Sequence, residues 1–318
     1  MKLINQSVTL VEENNPLKLV ELAGRVSHKS EDKITDTSYK KFLISMLGYG
    51  HTATLEFGDV YLEISDYDQL DNDNDYSNLI YDNLHNQSSY CKLRKSINTM
   101  YVYTNLRYIL DNYINIFSEL LNNGLPSFVN SFIPEDNDPY KRYCFDIVCN
   151  RGVSHELVRH RNMSFLQEST RYCNYSKDKF SNELNIINPF NNFIKTTSYN
   201  HEIYLESLKE SEDTYNDLTN CEDTIKAQEA RGILPNDLKT ELYMTGFLKD
   251  WIGHNRETFS IDLFGETVDC KVIKGFDTLR NDKSAHPQAK EIAEIIKEQL
   301  LTKISITDFD NIKDTYYE

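Results

Sequence analysis

At 318 residues and 39% hydrophobic side chains, the chain is long enough to bury a sizeable core as one large domain or two small ones. A formal net charge of −16 and a pI near 5.0 argue against a nonspecific grip on DNA, RNA or an anionic membrane surface, so any anion it holds must meet a local cationic pocket. Cys91, Cys144, Cys149, Cys173, Cys221 and Cys270 form no C-x-x-C pair, no apolar run approaches the ~20 residues of a membrane span, and the N-terminus lacks an uninterrupted apolar signal core. The expectation is a soluble cytoplasmic protein with reduced thiols.

Lys2 to Glu12 alternates imperfectly around Leu3, Val8 and Leu10 and predicts a strand, followed by a helix from Pro16 through Val26. A second helix is expected over Thr37 to Leu47, broken by Gly48 and Gly50. Val60, Leu62 and Ile64 then share one face of a strand over Asp59 to Ile64. The acidic, Asn-rich stretch Asp66 to Asn78 predicts a loop, Met100 to Tyr103 a short strand, and Asn105 to Leu121 a helix ended by Gly124 and Pro126. After a loop at Phe132 to Pro139 come a strand over Tyr143 to Cys149 and a helix capped by Ser154, starting with His155 and Glu156. The second half reads as more helical. Ile203, Leu208, Tyr215, Leu218 and Ile225 recur at roughly helical spacing within Glu202 to Ala230. Beyond Pro235, a second stripe runs through Leu238, Leu242, Thr245, Leu248 and Trp251 or Ile252, and a third through Ala289, Ile292, Ala293, Ile296 and Leu300. Between the last two, Glu257 to Phe276 is strand-like around Val268 to Ile273. With no internal repeat and no low-complexity tract, one α/β or α+β domain with insertions is the economical reading.

Four of the eleven arginines, Arg151, Arg159, Arg161 and Arg171, fall within 21 residues, where even scattering would place about one. In an acidic protein such a cluster suits phosphate recognition, because each guanidinium is permanently charged and offers a planar fork of donors; a salt-bridged surface patch is the alternative. A zinc reading of His155-Glu156 with His160 fails on geometry, since a five-residue spacing turns the two rings about 140° apart on a helix, so no metal is expected. Ser169 lies in a polar loop without a G-x-S-x-G elbow and is better suited to hydrogen bonding a substrate than to nucleophilic attack. Cys173 could pair with His160, but a buried structural cysteine is the default.

Arg159-His160-Arg161, seven intervening residues, Ser169 and then Arg171-Tyr172 resemble the signature of flavin-dependent thymidylate synthases. The resemblance extends to Gly24-Arg25-Val26-Ser27, Gly50-His51 with Glu56 five residues on, Arg151 to Glu156, Arg231 through Leu234-Pro235, Leu279-Arg280 and Ala285-His286-Pro287-Gln288. These blocks keep the family's order across nearly the whole chain. The resemblance implies a mainly antiparallel sheet flanked by helices, a single domain over residues 1–318, and a homotetramer with flavins at subunit interfaces. It implies reductive methylation of dUMP using methylene-tetrahydrofolate and FAD reduced by NADPH, in the cytoplasm, or the host cytoplasm for a virus-encoded enzyme. Flavin-dependent hydroxymethylation of a pyrimidine nucleotide and a non-catalytic flavin- or nucleotide-binding protein are the rivals.

By the same resemblance, FAD would be lined by Ser27, His51, Ala53, Glu56, Arg159, His160, Arg161, Gln167 and His286. The nucleotide would be held by Glu156, Arg159, Gln167, Glu168, Ser169, Thr170, Arg171 and Arg231, the last from a neighbouring subunit. Arg280 would act on the uracil imide, favouring its ionised form; a carboxylate-paired arginine at a helix end is the plainer alternative. His51 could equally be structural after a glycine turn, and His286 a cap before Pro287. The sequence departs from the family where Leu166, Gln167 and Thr170 replace a common asparagine, glutamate and glycine. It departs again at Ala53 and Phe57, where a hydroxyl residue and a histidine are frequent. Residues at about 65–139 and 254–277 have no counterpart in the shortest relatives.

Overall fold

The computed structural model describes residues 1–71, 73–86, 88–190 and 199–315. Its centre is an antiparallel sheet in the order β2 (Ser7–Leu10), β7 (Arg142–Asn150), β10 (Lys239–Phe247), β8 (Ser164–Gln167). β7 and β10 pair over their full lengths, from Arg142 opposite Phe247 to Asn150 opposite Lys239. Because strand side chains alternate, Phe145, Ile147, Cys149, Leu242 and Met244 share one face and bury against α11 (Pro287–Leu300), α9 (Leu248–Ile252) and α12 (Ile306–Asp314). The opposite face carries Cys144 and Tyr243, which join a second core.

That second core fills the space around a further antiparallel sheet, ordered β4 (Lys92–Lys95), β5 (Thr99–Asn105), β3 (Asp59–Ser65), β6 (Val129–Ser131). It is covered by α1 (Pro16–Val26), α2 (Ser38–Gly48) and α3 (Asp75–Asn86), with α4 (Leu106–Asn112) and α5 (Ile114–Asn122) beside them. α1 starts where Asn15 accepts from the Leu17 and Lys18 amides at 3.0 and 3.3 Å, with Pro16 preset for the first turn, and it buries the stripe Leu19, Val20, Ala23 and Val26. A parallel pair, β1 (Lys2–Ile4) with β9 (Asn185–Ile187), lies beside α7 (Tyr199–Asn220) and α8 (Ala227–Ala230). Among the described residues no helix is long and apolar enough to cross a membrane.

The mixed α/β class with mainly antiparallel sheets agrees with expectation, and Pro16–Val26 is a helix as read. Other elements differ. The stretch Leu238 to Ile252 is not one helix: β10 is an internal strand buried on both faces, so its near-continuous apolar run lacks the alternation that marks a strand, and only α9 is helical. Lys2 to Glu12 splits into two strands belonging to different sheets. Asn105 to Leu121 breaks at Tyr113, whose φ of −140° and ψ of 67° interrupt the helix. Glu202 to Ala230 breaks after Asn220. α3 begins inside the stretch read as the loop Asp66 to Asn78. Ser154 is not a cap: α6 (Arg151–Leu157) is capped by Asn150, whose Oδ1 accepts the Val153 amide at 2.7 Å.

Of the two stretches without counterpart in short relatives, the first supplies most of the second sheet. The second is the hairpin β11 (His254–Leu263) and β12 (Glu266–Lys274), leading into α10 (Phe276–Arg280). Gly253 (φ +78°) and Gly275 (φ +89°) meet at its base, where a Cβ on Gly275 would stand 2.0 Å from the Gly253 Cα. Only glycine permits that approach and those angles, and the contact brings the end of α9 against the start of α10 across the hairpin.

Candidate functional site

α6 projects from the end of β7 and stops at Leu157, so Arg159-His160-Arg161 lie in the tight connection to β8. The His160 amide donates to the Leu157 carbonyl at 3.1 Å and its carbonyl accepts from the Met163 amide at 3.0 Å. Arg159 and Arg161 are exposed, and among the described residues their guanidinium groups make no hydrogen bond or ion pair. His160 is half-buried with its ring 5.0 Å from that of Phe276. Burial pushes its pKa down to about 4, helped by the positive charges of Arg280 and Arg159, so the imidazole is neutral near pH 7.

Arg280, 120 residues along the chain, completes this cluster. Its Nε donates to His160 Nε2 at 3.0 Å, its Nη1 to a Glu156 carboxylate oxygen at 2.6 Å, and its Nη2 to the Glu156 carbonyl. The short α10 that carries it is held by the glycine contact and by Asp277, which pairs with Lys313 of α12 at 2.9 Å. The arginine is thus carboxylate-paired at a helix end, with three of its five N–H donors engaged.

The next stretch builds a second group. Gln167 Nε2 donates to Ser154 Oγ and Thr240 Oγ1, both at 3.0 Å. Glu168, 3% exposed, accepts from the Tyr175 hydroxyl at 3.0 Å and pairs with Lys239 at 2.8 Å. Lys239 also pairs with Glu241 at 2.8 Å, Glu241 with Lys29 at 2.8 Å, and Lys29 with Glu31 at 2.9 Å. This chain of alternating charges borders a cavity of about 540 Å³ that Tyr175 and Asn185 also line. Burial opposes the Lys29 ammonium, but Glu241 and Glu31 outweigh it and hold its pKa above the usual lysine value.

Beyond Glu168 the loop docks on the end of α1: the Ser169 amide donates to the Ser27 carbonyl at 3.1 Å, and the Arg171 amide to Ser169 Oγ at 3.2 Å. Tyr172 stacks on His28 at 4.3 Å. Burial lowers the His28 pKa, with His51 and Lys33 adding to it, which places His51 in the same neighbourhood. Arg171 donates to Gln228 at 3.2 Å, tying the loop to α8 next to the exposed Arg231. Thr170 is buried. The turn Thr52–Phe57 is pinned by Arg142, whose Nη2 donates to the Glu56 carbonyl at 3.0 Å; Ala53 on it is exposed. His286 precedes Pro287 as the cap of α11 and, with Glu156, Asn150 and Asp237, lines a cavity of about 390 Å³.

The structure therefore joins Glu156, His160 and Arg280 directly, and Ser27 with Ser169, while Glu168 sits in a buried ion-pair network. Cys173 does not meet His160: its buried thiol lies 4.0 Å from the Ser27 carbonyl, and burial pushes its pKa up to about 12. Lys29, Lys239 and Glu241 had no sequence signal as a group. Lys239 and Glu241 alternate on a strand that reads as a helix, so their common face with Glu168 was hidden.

Residues 141–254 match the family model described as thymidylate synthase complementing protein. The flavin-dependent thymidylate synthase of Geobacter sulfurreducens is 29% identical over 96 residues, covering 30% of this chain and 38% of that protein. That of Corynebacterium diphtheriae is 30% identical over 115 residues, covering 32% and 42%. The chain thus spans about two fifths of the length of the curated relatives it matches. These matches bear out the family resemblance. The matched segment contains Arg159 to Arg171 and Arg231, whereas Ser27, His51, Arg280 and His286 lie outside it.

Proposed function

We propose that the chain is a flavin-dependent thymidylate synthase, converting dUMP to dTMP with methylene-tetrahydrofolate as carbon donor and NADPH as reductant of FAD, and acting as a cytoplasmic homotetramer. The observation that carries this reading is the convergence of Arg280 on His160 and Glu156, because it brings a guanidinium from outside the matched segment onto the motif that defines the family.

The residues present fit a flavin dinucleotide. Arg159 and Arg161 are exposed and unengaged among the described residues, and guanidinium forks match a diphosphate. His286, Ser27, His51, Ala53, Glu56 and Gln167 are the other residues assigned to it. Bound there, FAD supplies the hydride that completes the methyl group, so the protein contributes position and charge. Arg171, Arg231 and Arg159 take the nucleotide phosphate, with Ser169, Thr170, Glu168 and Gln167 around the sugar and base. Arg280 keeps two free N–H donors after its three hydrogen bonds, enough to address the uracil imide while Glu156 and His160 hold it. A cation at that position favours the ionised imide and enriches the ring for attack on the one-carbon unit. No enzymic thiol is needed at the ring, and Cys173 is buried and protonated.

The test is an anaerobic assay with FAD, NADPH, methylene-tetrahydrofolate and dUMP, following flavin oxidation and identifying the product by mass. The expected product is dTMP. A hydroxymethylated nucleotide, or flavin that binds and is never reoxidised, refutes the assignment. Arg280→Ala should nearly abolish turnover while retaining flavin; release of the flavin would place Arg280 at the cofactor instead.

A further inference from the structure

The family motif assigns His160 to the flavin, but its contacts here run to another residue. Its Nε2 lies 3.0 Å from Arg280 Nε, its ring rests 5.0 Å from that of Phe276 on the same helix as Arg280, and its backbone is fixed on both sides by the Leu157 and Met163 hydrogen bonds. We propose that His160 is a positioning residue for Arg280, its neutral imidazole fixing the plane of the guanidinium, and is not a flavin contact. This inference rests on the synthase reading for its kinetic consequence, but its structural core does not.

Glu156 holds Arg280 only through Nη1 and Nη2, and two anchors leave the guanidinium free to rock about the line joining them. The bond to Nε supplies the third point, and three points fix a plane. The remaining donors then face one direction, which a planar imide requires, whereas a rocking fork would present them only part of the time. Nε2 can accept only if it carries no proton, so the ring must be the Nδ1–H tautomer. Burial and the neighbouring Arg280 and Arg159 charges keep it unprotonated at working pH. An imidazolium would instead set one N–H against another and push the guanidinium away.

The experiment compares His160→Leu, which removes the acceptor, with His160→Gln, whose side-chain carbonyl can reach as Nε2 does. Both are measured for flavin content, dUMP affinity and single-turnover rate. His160→Leu should keep its flavin and lose about 10- to 100-fold in turnover or dUMP affinity, the effect of one hydrogen bond to a charged group; His160→Gln should recover most of that loss. Flavin loss in both variants, or no effect of His160→Leu on nucleotide handling, overturns the proposal. A measurement independent of activity is the titration of the His160 ring by NMR in wild type and in Arg280→Met. Coupling predicts that the ring's pKa rises when Arg280 is removed, and an unchanged value overturns the coupling. If wild type binds no dUMP yet the titration shifts, the synthase reading fails while the His160–Arg280 pairing stands.

Discussion

Arg142 joins the two sheets, and replacing it with leucine should destabilise the fold more than any change at the proposed site. Its side chain is 1% exposed at the start of β7. Its Nε donates to Asp59 of β3 at 2.8 Å, its Nη2 to the Glu56 carbonyl at 3.0 Å, and its guanidinium lies 5.4 Å from the Phe247 ring centre. Arg142→Leu leaves the Asp59 carboxylate facing an apolar junction without its cation, and breaking a buried pair by removing one partner costs about 3–5 kcal/mol. At roughly 2 °C per kcal/mol for a chain of this size, the melting temperature should fall by about 6–10 °C. Burial already pushes the Asp59 pKa up, with Arg142 opposing it. Losing the arginine therefore raises it further, and the deficit should narrow at low pH, where Asp59 takes up a proton. Urea unfolding followed by Trp251 suits the measurement, because this single tryptophan is fully buried and donates to the carbonyl of Tyr143, next to Arg142. Asp59→Asn combined with Arg142→Leu should recover most of the loss, since no charge is then stranded. A loss below about 1 kcal/mol in the single variant, or an equal loss in the double, would refute the pairing argument.

Asp146 has an Oδ1 atom buried without a hydrogen-bond partner among the described residues, and burial, then the Glu241 charge, pushes its pKa up to about 6. A carboxyl whose folded pKa exceeds its unfolded value favours the folded state when protonated, so stability falls as pH rises from about 4 to 6. Asp146→Asn should remove that slope in a melting series across pH 4–7, leaving the variant relatively more stable at pH 7; an unchanged slope would count against it. Gly275→Ala should cost on the order of 3 kcal/mol and reduce turnover, because the new Cβ collides with Gly253 and displaces the helix carrying Arg280. Calorimetry and the dTMP assay check both effects, and a wild-type melting temperature would show that the contact is dispensable. Excising residues 254–274 and joining Gly253 to Gly275 should leave the Trp251 core folded, as read by its fluorescence, since that junction already closes the loop.

Elements with one buried and one wet face were legible in the sequence, and those buried on both sides were not. α1 and α11 each show a single apolar stripe, and β3 alternates along its length, so their periods reveal them. β10 shows no period, because one of its faces packs on α9 and α11 and the other meets the second core; picking every third or fourth apolar residue then yields a false helix. The break at Tyr113 leaves no local signal either, since Asn105 to Leu121 has good helix formers on both sides of it.

The site divides along the same physical line. Arg159, His160, Arg161 and Ser169 are close in sequence, so their clustering could be read from spacing. Arg280 enters through tertiary packing: Gly253 meets Gly275 across the hairpin, Asp277 takes Lys313, and α10 is thereby aimed at Glu156. None of those contacts has a sequence period, and only family resemblance pointed to the residue. Glu168 shows the converse. Adjacency to Ser169 suggested a ligand contact, but the strand register brings Glu241 alongside, and the lysines at 29 and 239 neutralise both carboxylates. A carboxylate so engaged reaches a nucleotide only by giving up Lys239. Glu168→Gln would therefore disturb the ion-pair network first and substrate affinity second, the reverse of what its place in the motif suggests.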